Sequence, residues 1–287
     1  MSSFHFLFFL ILASSCNNED KNDQEIVQRI SISENLCKVK YNLDTLISEF
    51  KIVFLEYPKV ISDVDKVAYF DDKMYILDKK GIALLEFNKD GEFIKQIGSL
   101  GAGPGEYLNL SDVEIDTING DIFVLSSEKR TLIKYDKNGS YISEQKLPVF
   151  AYSFTLIKDG FLFFLNSNPN ELSGTCDVIV CNKELKVKSK LMCPDKSSDW
   201  ICTLSGIVAN NEKGIVMSKS LSNEISYFEK NKIKPKYWID FGKAELPDEY
   251  KLNFAKYARY APDYQYLSKP IFENDNYIAF YYMSKNR

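Results

Sequence analysis

The sequence predicts an all-β protein, and more narrowly a β-propeller of four-stranded blades. The chain is rich in aromatic residues, with 18 Tyr and 20 Phe among 287 residues, and aromatic side chains favour strands. Short apolar strands separated by Asp, Asn and Gly turns recur in the same order along the chain. Each repeat holds about four strands over roughly 40 to 60 residues, which is typical of propeller blades. Because one such sheet cannot bury both faces, neighbouring repeats are expected to pack side by side.

Charge and histidine content exclude several classes of function. The formal net charge is -4, and no basic cluster with interleaved aromatic residues occurs, so nucleic acid is not a predicted partner. The only histidine is His5, in a segment that we expect to be removed. The mature chain would then lack the residue needed for Ser-His-Asp or Cys-His catalysis and for histidine-ligated zinc. No cofactor and no metal site is predicted.

The N-terminus has the pattern of a secretion signal. Residues 6–13 form a continuous apolar run, too short to span a bilayer. Ala13, Ser14 and Ser15 follow, and then Cys16, so the segment resembles the lipobox of bacterial lipoproteins. The resemblance implies a signal peptide over residues 1–15 and lipidation of Cys16, although the first residues carry no Lys or Arg. The alternative is a buried N-terminal strand or helix.

A polar segment follows Cys16. Residues 17–25 read NNEDKNDQE, and such a composition cannot bury enough apolar surface to order itself. We therefore predict a flexible tether over residues 16–35 that leads from the membrane anchor to a propeller domain over residues 36–287. The location implied is the cell envelope, with the lipid in the outer membrane and the protein periplasmic or surface-exposed. An acidic tether resembles the surface-export signals of some Gram-negative bacteria.

The remaining cysteines do not form a recognisable metal or redox motif. Five follow Cys16, which is an odd number with irregular spacing, and no CxxC pair occurs. Cys176 and Cys181 are five residues apart on a predicted strand, which puts them on opposite faces. An oxidising envelope would permit disulfides. The interpretation we favour is that the cysteines are small apolar residues of a β core.

Two repeats show the pattern most clearly. One begins at Lys66 and the other at Asp112, and each contains two apolar strands followed by a hairpin. The hairpin turns are residues 88–91 and 136–139, each ending in Gly, where positive φ is needed. Looser copies begin at Ser153 and Gly206, and a fifth opens at Lys269 before the sequence ends.

A glycine-rich stretch, GSLGAGPGEY, covers residues 98–107. A dinucleotide-binding loop would need GxGxxG followed by a helix, and a phosphate-binding P-loop would need Gly-Lys-Ser or Gly-Lys-Thr. Neither pattern occurs, Pro104 interrupts the stretch, and a predicted strand follows. We interpret it as the connection between two blades.

One short helix is predicted near residues 248–260. Pro247 precedes acidic residues in the first turn, as is common at helix starts. An aromatic stripe at helical spacing consists of Tyr250, Phe254, Tyr257 and Tyr260. The stripe either packs onto a blade or forms a platform for a sugar or peptide. Packing is the interpretation we favour.

The sequence IG..GAGPGEY, followed by GDIFVLS and YDKNG, resembles the six-bladed β-propeller lipoproteins of Gram-negative envelopes, which are similar to NHL-type and TolB-like propellers. The match is clear over residues 50–150 and rests on the repeat pattern afterwards. The resemblance implies six blades, whereas the sequence supplies four repeats and half of a fifth. Either the strands LCKVKY (residues 36–41) and FKIVFLEY (residues 50–57) pair with the C-terminal strands and close a five-bladed ring, or the chain lacks its last blade. We favour the second.

Two classes of function remain. The first is a non-catalytic binding or scaffolding lipoprotein that holds a glycan, peptide or protein partner. The second is a propeller hydrolase or lyase that uses carboxylates and tyrosines, with calcium as a conceivable ligand. The best candidates for a functional pair are Asp112 and Glu114, because a first blade strand lines the central channel and i, i+2 spacing puts both on one face. A solvated channel wall is their expected role, and no catalytic residue is assigned.

Overall fold

The computed structural model describes part of the chain with definable placement. The described residues are 9–12, 27–32, 49–165, 172–174, 176–193, 207–211, 214–218, 221–251, 253–273 and 277–283. They group into two compact units, Asn42–Lys190 and Met1–Tyr41 with Leu191–Arg287. The predicted boundaries at residues 15 and 35, and the lipidation site Cys16, lie outside the described residues.

Strands dominate both units. In chain order they are β1 (Phe9–Leu12), β2 (Gln28–Ser31), β3 (Lys66–Phe70), β4 (Lys73–Asp78), β5 (Ala83–Asn88), β6 (Phe93–Gln96), β7 (Ser99–Leu100), β8 (Glu106–Tyr107), β9 (Asp112–Ile115), β10 (Ile122–Ser126), β11 (Thr131–Tyr135), β12 (Tyr141–Lys146), β13 (Ser153–Ile157), β14 (Gly160–Phe164), β15 (Val178–Asn182), β16 (Val187–Leu191), β17 (Ile207–Asn211), β18 (Gly214–Ser218), β19 (Glu224–Glu229), β20 (Lys232–Asp240), β21 (Tyr266–Glu273) and β22 (Tyr277–Met283).

The unit Asn42–Lys190 contains three four-stranded sheets, in the orders β3-β4-β5-β6, β9-β10-β11-β12 and β13-β14-β15-β16, and the short pair β7-β8. All neighbours within the four-stranded sheets whose register is defined are antiparallel. Consecutive strands are adjacent, so each sheet is a simple meander. We call these sheets the first, second and third blade.

The other unit contains a sheet of order β17-β18-β19-β20-β2 and a sheet of order β1-β22-β21. β2 joins β20 in parallel at the edge of the first of these sheets. β1 lies within the predicted signal peptide and pairs antiparallel with β22, which corresponds to the alternative of an N-terminal strand. Cleavage before Cys16 would remove this strand and leave that edge of β22 unpaired.

The fold class predicted from the sequence is confirmed: the chain is a β-propeller of meander sheets. The predicted hairpin turns are present. Gly91 and Gly139 have φ of 94° and 72°, and the Asp136 carboxylate accepts from the amides of Asn138 and Ser140, both at 2.8 Å. Glycine is used where the turn requires positive φ, and the acidic side chain ties the turn to itself.

Apolar side chains fill the spaces between consecutive blades. A buried cluster joins the first blade to the second through Leu77, Leu84, Val124 and Ile133, and another joins the second to the third through Leu125, Phe154 and Phe163, along with other members. This is the side-by-side packing that the repeat pattern predicts.

The segment of residues 50–57, which we call the strap, lies on the first blade. Its pairing with the C-terminal strands was the alternative that we did not favour. It instead packs on the far face of the first blade, where Val53, Leu55 and Tyr57 contact the cluster of Met74, Ile76, Ala83, Leu85 and Phe87. A hydrogen bond from the Glu56 amide to the Gly91 carbonyl, 2.8 Å, fixes its end. Its alternating pattern puts every second side chain onto the blade.

Two short helices replace the single predicted one: α1 (Asp248–Lys251) and α2 (Phe254–Tyr260). Asn253 is extended, and its side chain accepts from the Lys256 amide and so caps α2. An asparagine that satisfies the amides of a new helix start favours a break at that point. Among the described residues, no helix has the length and apolarity needed to cross a bilayer.

Candidate functional site

The predicted pair, Asp112 and Glu114, lies on β9, the edge strand of the second blade. Both carboxylates bind the same cation. Lys66 on β3 of the first blade donates from Nζ to Asp112 Oδ1 at 2.9 Å and to Glu114 Oε1 at 2.8 Å. Since i, i+2 spacing places two strand residues on one face, a single ammonium from the neighbouring blade can reach both.

Asp112 also reaches the third blade. Its Oδ2 accepts a hydrogen bond from the Phe154 amide of β13 at 3.0 Å, and its Oδ1 also accepts from the Val113 amide at 2.9 Å. The buried carboxylate of Asp112 therefore connects the first strands of three consecutive blades. We call Lys66, Asp112 and Glu114 the charge cluster.

Burial and charge act against each other in the charge cluster. Burial lowers the pKa of Lys66, but the charges of Asp112 and Glu114 and their hydrogen bonds outweigh it, so that this pKa is raised. Burial raises the pKa of Glu114; the Lys66 ammonium opposes this rise, and the Asp112 charge adds to it. Lys66 therefore stays charged at neutral pH, and Glu114 is the member that protonates more readily than an exposed glutamate.

This arrangement is unsuited to acid–base catalysis. A glycosidase needs one carboxyl on each side of the bound sugar, about 5 to 9 Å apart. Here both carboxyls belong to one face of one strand and share one ammonium, and both oxygens of Asp112 accept protein hydrogen bonds. Among the residues that the structure describes, no group of three or more His, Cys, Asp or Glu side chains could hold a metal ion.

Sequence reasoning missed Lys66 as part of this site. Lys66 pairs with Leu77 on the next strand, and Asp112 pairs with Leu125 in the same position of its own blade. Aligning the two repeats therefore puts a lysine opposite an aspartate. The sequence therefore did contain a signal for this ion pair, namely opposite charges at equivalent positions of adjacent repeats.

A second buried charge was also missed. Glu86 on β5 is fully buried, with Lys73 Nζ 2.7 Å from its Oε1 and Lys95 Nζ 3.6 Å from its Oε2. Its strand neighbour Tyr75 is equally buried, and burial followed by the Glu86 charge raises the pKa of Tyr75 to about 12. The apolar alternation around position 86 gave no indication of a buried carboxylate.

The glycine-rich stretch connects the first and second blades, as the sequence predicted. Its backbone carbonyls are bound by side chains of the second blade: Lys129 donates to Gly103 and Glu106, each at 3.0 Å, and Tyr135 donates to Gly105 at 2.7 Å. The Glu106 carboxylate accepts from the Gly103 amide at 2.8 Å. The stretch is held as a structural connection and presents no helix start to a phosphate.

The aromatic stripe is divided between packing and exposure. Tyr250 and Tyr257 pack against the buried cluster of Leu221, Leu246, Ala261 and Tyr266, which is the interpretation that we favoured. Tyr260 stacks on Tyr250 with ring centroids 5.1 Å apart. Phe254 is exposed, so the four residues do not form one platform.

The cysteines follow the favoured interpretation only in part. Cys181 is free and buried, and burial raises the pKa of its thiol to about 12, so it is not a reactive thiolate at neutral pH. Cys176 and Cys193 each take part in a disulfide. Cys176 is nevertheless buried, whereas Cys193 is exposed, so the interpretation as a small core residue is wrong for Cys193.

Comparison with known proteins identifies a family and a fold. The profile of a family described as a domain of unknown function, DUF4934, matches residues 27–287. None of the curated proteins compared with the chain matches it significantly. A Bacteroides fragilis protein described as exported is similar in structure, with a TM-score of 0.73, 19% identity, and coverage of 91% of this chain and 75% of that one.

Two more distant structures are similar over less of their length. Virginiamycin B lyase of Staphylococcus aureus has a TM-score of 0.46 and 15% identity, with coverage of 75% of this chain and 61% of that one. BamB of Moraxella catarrhalis has a TM-score of 0.48 and 11% identity, with coverage of 77% of this chain and 60% of that one. At 19% identity the Bacteroides fragilis structure supports the fold alone, and no argument is taken from the two structures with TM-scores below 0.5.

Proposed function

We propose that this chain, which belongs to the DUF4934 family, is an envelope-anchored β-propeller lipoprotein that acts as a non-catalytic binding or scaffolding module. Its partner would be a glycan, a peptide or another protein. The anchor would be the lipid on Cys16, and the folded units would be displayed from the outer membrane at the end of the tether.

The observation that carries the non-catalytic assignment is the charge cluster. The best carboxylate pair in the sequence is bound to a lysine and to backbone amides that belong to three blades. A catalytic base must be able to exchange a proton with a substrate. The carboxylates of the cluster instead hold blades together, which is what a rigid scaffold requires.

Two observations support the envelope as the location. Cys176 and Cys193 are disulfide-bonded, and stable disulfides belong to oxidising compartments. The similar Bacteroides fragilis protein is itself described as exported. Together with the signal-like pattern of residues 6–16, they favour export of this chain as well.

Calcium titration tests the proposal against a calcium-dependent hydrolase or lyase. We expect millimolar calcium chloride to leave the melting temperature unchanged within about 1 °C. A catalytic calcium site saturated at about 100 times its dissociation constant would stabilise the fold by about 2.7 kcal/mol, or roughly 5 °C or more for a chain of this size. A saturable rise of that magnitude would contradict the non-catalytic assignment, and magnesium chloride at the same ionic strength is the control.

A further inference from the structure

Two turns of the second blade carry the dipeptide Asn-Gly. Asn119-Gly120 lies between β9 and β10, and Asn138-Gly139 lies between β11 and β12. In this dipeptide the amide nitrogen of glycine can attack the carboxamide of the preceding asparagine. Glycine has no Cβ to obstruct the approach, and the two groups belong to one molecule, which favours ring closure. The same reaction can therefore be compared at two places in one blade.

The two turns share one form of protection. Each glycine amide donates to a main-chain carbonyl, Gly120 to Asp116 and Gly139 to Asp136, both at 2.8 Å. The nitrogen that would attack is thus hydrogen-bonded in both turns. Both asparagines are also exposed to solvent. Neither feature distinguishes one turn from the other.

The carboxamide of Asn119 is held at both ends, whereas that of Asn138 is not. Asn119 Nδ2 donates to Asp121 Oδ2 at 2.9 Å, and Asn119 Oδ1 accepts from the Asp121 amide at 2.9 Å. Both bonds must open before the carboxamide carbon can turn toward Gly120. The contacts of Asn138 within the described part of the chain involve its main-chain amide and carbonyl. Its carboxamide can therefore turn without losing a hydrogen bond to those residues.

The turn at Asn138 also receives a cation from the first blade. Lys95 on β6 donates from Nζ to the main-chain carbonyl of Asn138. The same ammonium lies 3.6 Å from Glu86 Oε2, beyond normal hydrogen-bond length. The carbonyl belongs to the peptide bond whose nitrogen is that of Gly139. When this nitrogen loses its proton, negative charge spreads onto the carbonyl oxygen, where the ammonium stabilises it. No side chain in the described ranges donates to the corresponding carbonyl of Asn119.

We infer that Asn138 is a site of spontaneous deamidation and that Lys95 of the neighbouring blade promotes it. A base in solution removes the Gly139 amide proton, and the nitrogen attacks Asn138 Cγ to close a succinimide ring. The bond from Cγ to Nδ2 breaks, and this nitrogen takes up a proton from water and leaves as ammonia. Water then opens the ring at either carbonyl, which gives aspartate or isoaspartate. In sum, a carboxamide and water become a carboxylate and ammonium, without oxidation or reduction.

The product would change the junction of the first and second blades. A new carboxylate would stand in the turn that the Lys95 ammonium already binds. Isoaspartate would also lengthen the main chain of a tight turn in which Gly139 has φ of 72°. The inference does not depend on the proposed binding function or on the lipid anchor.

Peptide mapping by mass spectrometry tests the inference. The folded full chain is incubated in mildly alkaline buffer, and fragmentation assigns the conversion of NH₂ to OH to each asparagine over time. We expect Asn138 to react about tenfold or more faster than Asn119, whose two hydrogen bonds slow its reaction by about that factor. In urea the two should react at similar rates, because both precede glycine. Equal rates in the folded chain, or a preference for Asn138 that persists in urea, would overturn the inference.

Lys95→Met tests the part played by the ammonium. We expect the variant to deamidate Asn138 about tenfold more slowly, with no change at Asn119. Lys95→Arg keeps a cation and should retain most of the rate. Lys73, 2.7 Å from Glu86, still neutralises the buried carboxylate in both variants. A variant that unfolded would reveal itself by faster reaction of Asn119. An unchanged rate at Asn138 in folded Lys95→Met would overturn the role of Lys95.

Discussion

At the scale of single residues, Asp112 does more than its neighbour Glu114. Both are acidic, lie two positions apart on one strand and bind Lys66. Only the Asp112 carboxylate also accepts a hydrogen bond from a backbone amide of another blade, that of Phe154. Sequence periodicity places both residues on one face, but it gives no means of telling which carboxylate is also a backbone acceptor.

This difference leads to a prediction for matched carboxylate-to-amide changes. Asp112→Asn replaces one of the two hydrogen-bond-accepting carboxylate oxygens by an NH₂ group, which can only donate. The group that was bound to that oxygen, either a buried backbone amide or the ammonium, then has no acceptor. We expect a loss of about 2–3 kcal/mol in the free energy of unfolding. Glu114→Gln should cost less than about 1 kcal/mol, because the raised pKa of Glu114 means that the fold tolerates its neutral form. Urea denaturation at pH 7 measures both, and equal losses would contradict the prediction.

The pH dependence of Glu114 provides a second measurement on the same variants. The pKa of Glu114 is raised in the fold, so above the ordinary value of 4.5 the folded chain binds more protons than the unfolded chain. The stability that Glu114 contributes therefore falls as pH rises through this window. The stability of the wild-type chain relative to Glu114→Gln should accordingly be greater at pH 4.5 than at pH 7. If the stability of the wild-type chain relative to Glu114→Gln rose from pH 4.5 to pH 7, the prediction would be contradicted.

At the scale of elements, the connection between the first and second blades contains a glycine whose replacement is costly. Gly105 has φ of 73°, and a Cβ there would lie 2.9 Å from ring atoms of Tyr141. Both the backbone conformation and the space exclude a side chain.

Gly105→Ala is therefore expected to destabilise the fold more than Gly174→Ala. Gly174 has a similar φ of 63°, but a Cβ there would meet no atom of the described residues within 4 Å. Gly174→Ala should cost about 1 kcal/mol from backbone strain, and Gly105→Ala about 2–3 kcal/mol because the clash is added. Thermal unfolding measures the difference, and equal costs would mean that Tyr141 moves aside freely.

The secondary-structure elements could be predicted from the sequence better than the parts of the chain against which they pack. The repeat pattern, the two hairpin turns and the glycine-rich connection could be read from local spacing, because each depends on turn chemistry within a few residues. The packing partner of residues 50–57 could not be predicted from local spacing. Alternating apolar residues show that a segment has one packing face, but several blades offer faces of the same chemistry. The single predicted helix was divided for a local reason, the cap at Asn253.

At the scale of the whole molecule, the proposed function depends on whether the chain is anchored in the envelope. Residues 6–16 predict export and lipidation. Each buried CH₂ of an acyl chain contributes about 0.8 kcal/mol, and a lipid with more than one acyl chain on the terminus would hold the protein stably in a membrane.

Metabolic labelling with radioactive palmitate in a Gram-negative host tests the anchor. We expect the wild-type chain to carry the label and to sediment with membranes, and Cys16→Ser to carry none and to remain in the supernatant. Cys181→Ser is the matched control, because Cys181 is free and buried and its substitution should leave the label in place. Label retained by Cys16→Ser would show that the acyl chain is attached elsewhere, and a wild-type chain without label would show that it has no acyl anchor.

The strap has a mechanical consequence if the chain is pulled by its N-terminus. Force on the tether would first reach β2, which pairs with β20. Once β2 had separated, the force would reach residues 50–57 before the first blade, where a backbone bond between Glu56 and Gly91 fixes the strap. Such a contact opens one group at a time, so the strap would peel off at low force while the meander sheets stay intact. An extended chain spans about 3.3 Å per residue, so releasing these residues would lengthen the tether by roughly 25 Å. The released strap would then add to the length of chain between the membrane and the propeller.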